Sequence, residues 1–266
     1  MRSGNLKYEI RNSKRLVLNV SIVIISCCLP FITLGQVEQL KAEADAAYIA
    51  EEHQKAAELY QQILDQEYVS AEVEYNLGNS YFKTGQVALS ILHYERALKL
   101  APSDEDIQFN LKLANLSVKD KVEDIPQLFF IEWWNQILKV FSTDGWAWNA
   151  VIAFLLGLIG FLLFRFSSEE GIRRLTFYAG IICVGWGAFS VYAAQKSFDH
   201  VVNDSRAVVF ASTLNAKSAP DRKGKDLFVI HEGLVVTVTD EVNGWSRIKL
   251  SNGNVGWVPE GTIVNI

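Results

Sequence analysis

The chain has 266 residues, half of them apolar, with 25 basic and 30 acidic side chains and a net charge of −5. That balance excludes the basic patch or stripe of a nucleic-acid binder. The length suffices for one or two domains, but the apolar residues gather into three long runs, which excludes a simple soluble enzyme.

Residues 1–36 read as an export signal. Arg2, Lys7, Arg11, Lys14 and Arg15 precede an apolar stretch from Leu16 to Leu34, and Thr33-Leu34-Gly35 supplies small residues before a cleavage point at Gln36. Two alternatives remain open at this stage. One is an uncleaved anchor, because the stretch is long for a signal. The other is a lipoprotein box at Ile24-Ile25-Ser26-Cys27.

Residues 37–120 show helical periodicity and an internal repeat at an offset of 34. Leu77-Gly78, Tyr81, Gly85, Tyr94, Ala97-Leu98 and Pro102 resemble a tetratricopeptide repeat (TPR). A first, degenerate copy has Ala44 for Gly78, Tyr60 for Tyr94, and Glu51 where a glycine is usual. Asp104–Leu116 fits one further helix with no partner after it, so the domain is two repeats plus a cap. Solenoids normally need three repeats or more, so this one is expected to lean on the membrane-proximal helix or on a partner. The resemblance implies a peptide groove lined by Lys41, Asp45 and Tyr48, then Tyr75, Asn76, Asn79, Phe82 and Lys83, then Phe109 and Asn110. Asp45 departs from the pattern that grips a terminal carboxylate. Residues 37–120 carry 15 acids and 7 bases, which favours a basic or neutral client.

Residues 121–144 contain Trp133 and Trp134 and read as an interfacial helix, with Leu128, Phe129, Ile137, Leu138 and Phe141 facing the bilayer. Trp133, Trp134, Trp146 and Trp148 are expected at headgroup depth. Residues 145–165 and 175–195 are each long and apolar enough to cross a membrane. The loop 166–174 between them, with Arg165, Arg173 and Arg174 at its ends, is placed in the cytoplasm by positive-inside logic.

Residues 205–266 change to short β-branched runs. Five strands are expected: Ala207–Ala211, Leu227–Ile230, Val235–Thr239, Trp245–Leu250 and Val255–Val258. Turn dipeptides stand at Asn243-Gly244 and Asn252-Gly253. Glu232-Gly233, Asn243-Gly244-Trp245, Ile248-Lys249-Leu250 and Gly256-Trp257-Val258 resemble a bacterial SH3-like (SH3b) domain, with Leu214–Pro220 as its long loop. Trp245 and Trp257 are either packing residues or the aromatic groove the resemblance implies.

The fold class is therefore multidomain: an all-α TPR domain, a transmembrane helical hairpin and a small all-β SH3-like barrel. The cysteines (Cys27, Cys28 and Cys183) lie in apolar runs and the four histidines stand apart, so no metal site is expected. No phosphate loop, nucleophile triad or cofactor motif occurs, so neither catalysis nor a cofactor is expected.

The order of parts, together with Asp120–Pro126, Trp133-Trp134 and Ser142–Trp148, resembles the BatE family of the Bacteroides-aerotolerance (Bat) group. That resemblance implies a multi-pass inner-membrane protein with both recognition domains in the periplasm. It implies integral-membrane partners bearing von Willebrand A domains and, indirectly, a MoxR-type ATPase. The alternative reading is a cell-wall anchor, with SH3b on peptidoglycan and the TPR domain recruiting a client.

Overall fold

The computed structural model describes residues 35–122 and 128–266, without the His200 side chain. The export-signal reading and part of the 120–126 motif lie outside the described residues. The chain divides into two compact units, Met1–Val69 and Ser70–Ile266.

In the first unit, helix α1 covers 35–49 and α2 covers His53–Asp65. Small residues line their seam. Ala44, Ala47, Ala56 and Ala57 are buried with Ile63 and Tyr60, whose hydroxyl donates to Asp45. Glu51 has φ +61° at the turn between the helices. The equivalent residue 34 positions on is Gly85, at φ +77°, so the turn demands a left-handed residue that the first repeat fills at some cost.

The second unit begins with α3 (Ala71–Lys83), α4 (Val87–Leu100) and α5 (Glu105–Leu116). Ser70 and Asp104 cap α3 and α5 by accepting from first-turn backbone N–H groups. Gly78 is set by packing, since a Cβ there would lie 2.7 Å from the Tyr94 ring. A buried His93–Glu74 pair (Nδ1···Oε2 2.6 Å) crosses the same seam, with Tyr81 stacked on the imidazole.

Helices α6 (Phe129–Lys139), α7 (Thr143–Phe166) and α8 (Glu170–Val202) follow. Both α7 and α8 are long and apolar enough to cross a membrane, and their apolar windows are almost wholly exposed. Helix α8 continues seven residues past the expected end at 195, because no proline or glycine interrupts it after Gly187. One expectation for the aromatic cluster, that for Leu138, is corrected. Trp146 is covered by protein side chains. It is 2% exposed, ringed by Phe141, Trp186 and Phe189, and its Nε1 donates to the Leu138 carbonyl. Leu138 does not face outward but is buried in the same cluster. Leu128, Phe129, Trp133, Phe141 and Trp148 are exposed.

The C-terminal part is one seven-stranded antiparallel sheet ordered β3-β2-β6-β5-β4-β1-β7. Its strands are β1 (Arg206–Val209), β2 (Thr213–Lys217), β3 (Asp226–His231), β4 (Val235–Val242), β5 (Trp245–Lys249), β6 (Val255–Pro259) and β7 (Ile263–Asn265). Two strands were not anticipated. The supposed loop at Leu214–Pro220 holds β2, whose Leu214 and Ala216 alternate into the core. The second, β7, is only three residues long and pairs with β1.

The expected support for the short solenoid is also corrected, because the barrel supplies it. Ala88, Ile91, Leu92 and Tyr94 of α4, with Leu111, Ala114 and Val118, share one core with Val208, Phe210, Leu234, Val235 and Ile266. Gly233 (φ +86°) fits against this seam, where a Cβ would meet Val118 at 3.0 Å. An ionic rim borders it. Arg206 spans Glu95 (2.7 Å) and Asp204 (2.9 Å), and Lys99 lies 3.6 Å from Asp204. Arg96 and Lys99 donate to the Asn265 and Ile266 carbonyls. Burying one Ile or Val contributes about 1.5–3 kcal/mol, so the apolar seam dominates and the rim fixes orientation.

Burial alone would push the Asp204 carboxyl up, but the hydrogen bonds and charge of Arg206, with Lys99 behind them, hold it below the usual carboxylate range. A carboxyl with a depressed folded-state pKa contributes stability that is full above the ordinary value of 3.8 and lost as pH falls through the folded value. Thermal melting of the chain is expected to weaken below that value, and Asp204→Asn to flatten the acid limb. Arg206→Ala, which strands the buried Glu95, is expected to cost about 1–3 kcal/mol. A melting curve unchanged by Arg206→Ala would remove the rim from the account.

Candidate functional site

Two faces of the second unit carry the residues singled out by sequence. The first is the α3/α5 face. Asn79 Oδ1 accepts from Tyr94 Oη (2.7 Å) and from Asn110 Nδ2 (3.2 Å), and Asn110 Nδ2 also donates to Tyr75 Oη (2.6 Å). Tyr75, Asn79 and Asn110 thus form a hydrogen-bonded clasp between repeat and cap, with the Tyr75 ring 5.9 Å from Tyr94. Phe82 packs, half-buried, on the core shared with the barrel. Lys83 is exposed, and among the described residues no hydrogen bond reaches the Asn76 side chain. Open recognition chemistry on this face therefore rests on Asn76, Lys83 and the exposed Phe109.

Lys41 and Tyr48 belong to the first unit. Lys41 pairs with Asp45 at 3.4 Å, and Tyr48 packs against His53 with ring centroids 5.0 Å apart.

The second face is the outside of β5 and β6. Trp245 opposes Pro259, and Arg247 opposes Trp257. Strand alternation puts Ser246, Ile248 and Val258 inward and turns Trp245, Arg247, Trp257 and Pro259 outward. Trp245 and Trp257 are diagonal neighbours, about 7–8 Å apart by strand geometry, and neither belongs to the barrel core. Lys217 of β2 pairs with Trp257 on the other side, so a cationic residue flanks that indole along both adjoining strands. Lys217 also binds Asp226 of β3, and its hydrogen bond holds that carboxyl below the usual range. Half-buried indoles with flanking cations suit stacking and carboxylate recognition.

Sequence reasoning missed the contact between α4 and the barrel and a second clamp beside it. The His231 backbone N–H donates to Asp120 Oδ2 (2.6 Å), and His231 Nδ1 lies 2.8 Å from Asp120 Oδ1. Lys119 Nζ approaches Nε2 at 2.9 Å. The partners are 111 residues apart, so no local spacing could reveal them.

Among the described residues no group of three or more His, Cys, Asp or Glu could hold a metal ion. The concave surface between α7 and α8, about 760 Å³, is lined mainly by apolar residues such as Phe154, Leu158 and Val184, with Thr176 and Cys183 among them.

Comparison with known families finds one match in the helical part and one in the sheet. Residues 71–104 match the tetratricopeptide repeat, and residues 212–264 match the bacterial SH3 domain. Both are binding modules. No curated protein matches the chain.

The clasp separates two kinds of residue on the first face. Asn79→Ala removes the acceptor that Tyr94 Oη and Asn110 Nδ2 share and is expected to cost about 1–2 kcal/mol. Lys83→Glu, on an exposed position, is expected to stay within about 0.5 kcal/mol of wild type. Thermal melting of the two variants checks the assignment, and equal losses would refute it.

Proposed function

We propose that this chain is a non-enzymatic, membrane-anchored scaffold whose second unit presents a TPR face and an SH3b face. We place it as a multi-pass inner-membrane protein with both modules in the periplasm, working as a subunit of a Bat-type envelope complex. Its proposed partners are integral-membrane proteins with von Willebrand A domains and, through them, a MoxR-type ATPase. The observation that carries the scaffold reading is the shared core of α4 and the barrel at the end of two long apolar helices. The barrel packs on α4, whereas Asn76 and Lys83 belong to α3 and are not part of the shared core. A client can bind there without disturbing the seam.

Affinity purification from gently solubilised membranes tests this. Asn76→Ala with Lys83→Glu is expected to lose a defined set of membrane partners while the chain stays folded. A partner list untouched by that change, but lost with Trp257→Ala, would move the weight to the barrel face.

Orientation has a separate measurement. In a background with Cys27, Cys28 and Cys183 replaced by serine, a cysteine replacing Ser251 is expected to react with an impermeant thiol reagent in spheroplasts. One replacing Ser168 is expected to stay protected until lysis. The reverse pattern would overturn the topology.

A second reading is favoured by the outer face of β5 and β6. Paired indoles beside Arg247 and Lys217 suit a peptide carrying free carboxylates, such as a cell-wall stem peptide. On this reading the chain anchors a client at peptidoglycan, and Trp257→Ala is the variant that abolishes it.

A further inference from the structure

Helix α5 ends the described repeat array, and its outer side is unusual for that place. On α3, Tyr75, Asn79 and Phe82 form the side turned to the next repeat. All three are half-buried, and Asn110 of α5 closes over Tyr75 and Asn79. The 34-residue offset carries these positions to Phe109, Leu113 and Leu116. On α5 the same positions are 65%, 39% and 67% exposed. They are spaced i, i+4 and i+7, so they form one apolar stripe.

A terminal repeat normally turns a polar face to solvent. Here the polar residue of the clasp is replaced by leucine (Leu113 for Asn79), and an exposed phenylalanine stands where the preceding repeat has Tyr75. Among the described residues, those just after α5 do not return over the stripe. Lys121 folds back onto the Asn115 and Leu116 carbonyls, Val118 enters the barrel seam and Asp120 is held by His231.

We propose that the Phe109–Leu113–Leu116 stripe docks one amphipathic helix of a partner protein, packed on α5 as α5 packs on α3. Two arguments choose this occupant. The stripe continues an existing helix-on-helix seam: the positions α5 covers on α3 are those left open on α5 itself. Its size then separates a helix from a second copy of the chain. Seven residues span about 10 Å of helix, and three side chains bury on the order of a few hundred Å². A self-standing dimer needs about 1,200 Å² or more in total. The site instead matches a short helix reading i, i+3 or i+4, and i+7 anchors into a complementary stripe. It shares Phe109 with the face of Asn76 and Lys83, whereas Leu113 and Leu116 belong to neither that face nor the indole face, so Leu113→Glu separates its test from theirs.

The experiment uses the full chain in zwitterionic lipid nanodiscs and a fluorescent, 17-residue designed helix with leucines on one stripe and glutamate and lysine elsewhere. Fluorescence anisotropy is expected to show saturable binding above that to empty nanodiscs. Leu113→Glu and Phe109→Asp are each expected to weaken it at least tenfold, whereas Phe109→Leu keeps it. The substituted positions are exposed, so thermal melting should stay at the wild-type value and mark any variant that fails to fold. Binding equal to that of empty nanodiscs would make the stripe a lipid contact and overturn the proposal. Binding indifferent to Leu113→Glu would overturn it as well. A particle mass showing two chains that Leu113→Glu converts to one would assign the stripe to a second copy instead.

Discussion

The seam between α4 and β1 is the contact on which the second unit depends. A solenoid repeat buries its hydrophobic faces only against neighbours, and this array offers few. The barrel takes the neighbour's place, with Ile91 and Val208 fully buried in the one core. Each module therefore completes the other. The barrel gives the repeat a partner for α4, and the repeat covers β1-side residues, Val208 and Phe210, that would otherwise face water. Two flexibly tethered domains would gain from linkage only through effective concentration. A shared core does more, because it also fixes the angle between their recognition faces.

The same seam joins the soluble part to the helical hairpin. Helix α8 ends at Val202, and Asp204 lies two residues later in the ionic rim with Arg206 and Lys99. No Gly/Ser-rich linker intervenes, so little torsional freedom separates α8 from the repeat. Trp146 plays the matching role at the start of α7, where its buried indole ties α6, α7 and α8 together. Removing the barrel would therefore expose the apolar side of α4 and release the end of α8 at once. Phenotypes of such deletions report the loss of the whole assembly rather than of SH3b binding alone.

Much of the fold was legible because it is written in local spacing. Gly78 and Tyr94 mark the crossing of two helices, and the closeness of that ring to a would-be Cβ shows why the position is small. Asn243-Gly244 announces a hairpin, and Asn243 and Gly244 both take positive φ there. The candidate site was less legible. Asn79 has the type and position of a ligand-gripping residue, yet its oxygen is engaged by Tyr94 and Asn110, and spacing within one helix cannot disclose partners on two others. Trp146 read as a membrane-belt residue because composition reports amphipathic rings without saying which are covered. Strand β2 read as a loop because Thr213–Lys217 holds only one large apolar residue, Leu214, and its pairing is supplied by distant strands.

Geometry also explains how one small body can keep several surfaces available. The sheet order places β1, the strand of the seam, two strands away from β5 and three from β6. The indoles of Trp245 and Trp257 therefore lie on strands that take no part in the contact with α4. On the helical side the barrel occupies α4, while Asn76 and Lys83 sit on α3 and the Phe109–Leu116 stripe sits on α5. The ionic rim consumes Glu95, Asp204, Lys99 and Arg206, whereas Lys83 and Arg247 lie outside it and are exposed. Charge is thus spent in two ways in this unit. Buried and mutually paired groups hold the modules in register, and exposed groups flank the apolar surfaces where recognition would occur.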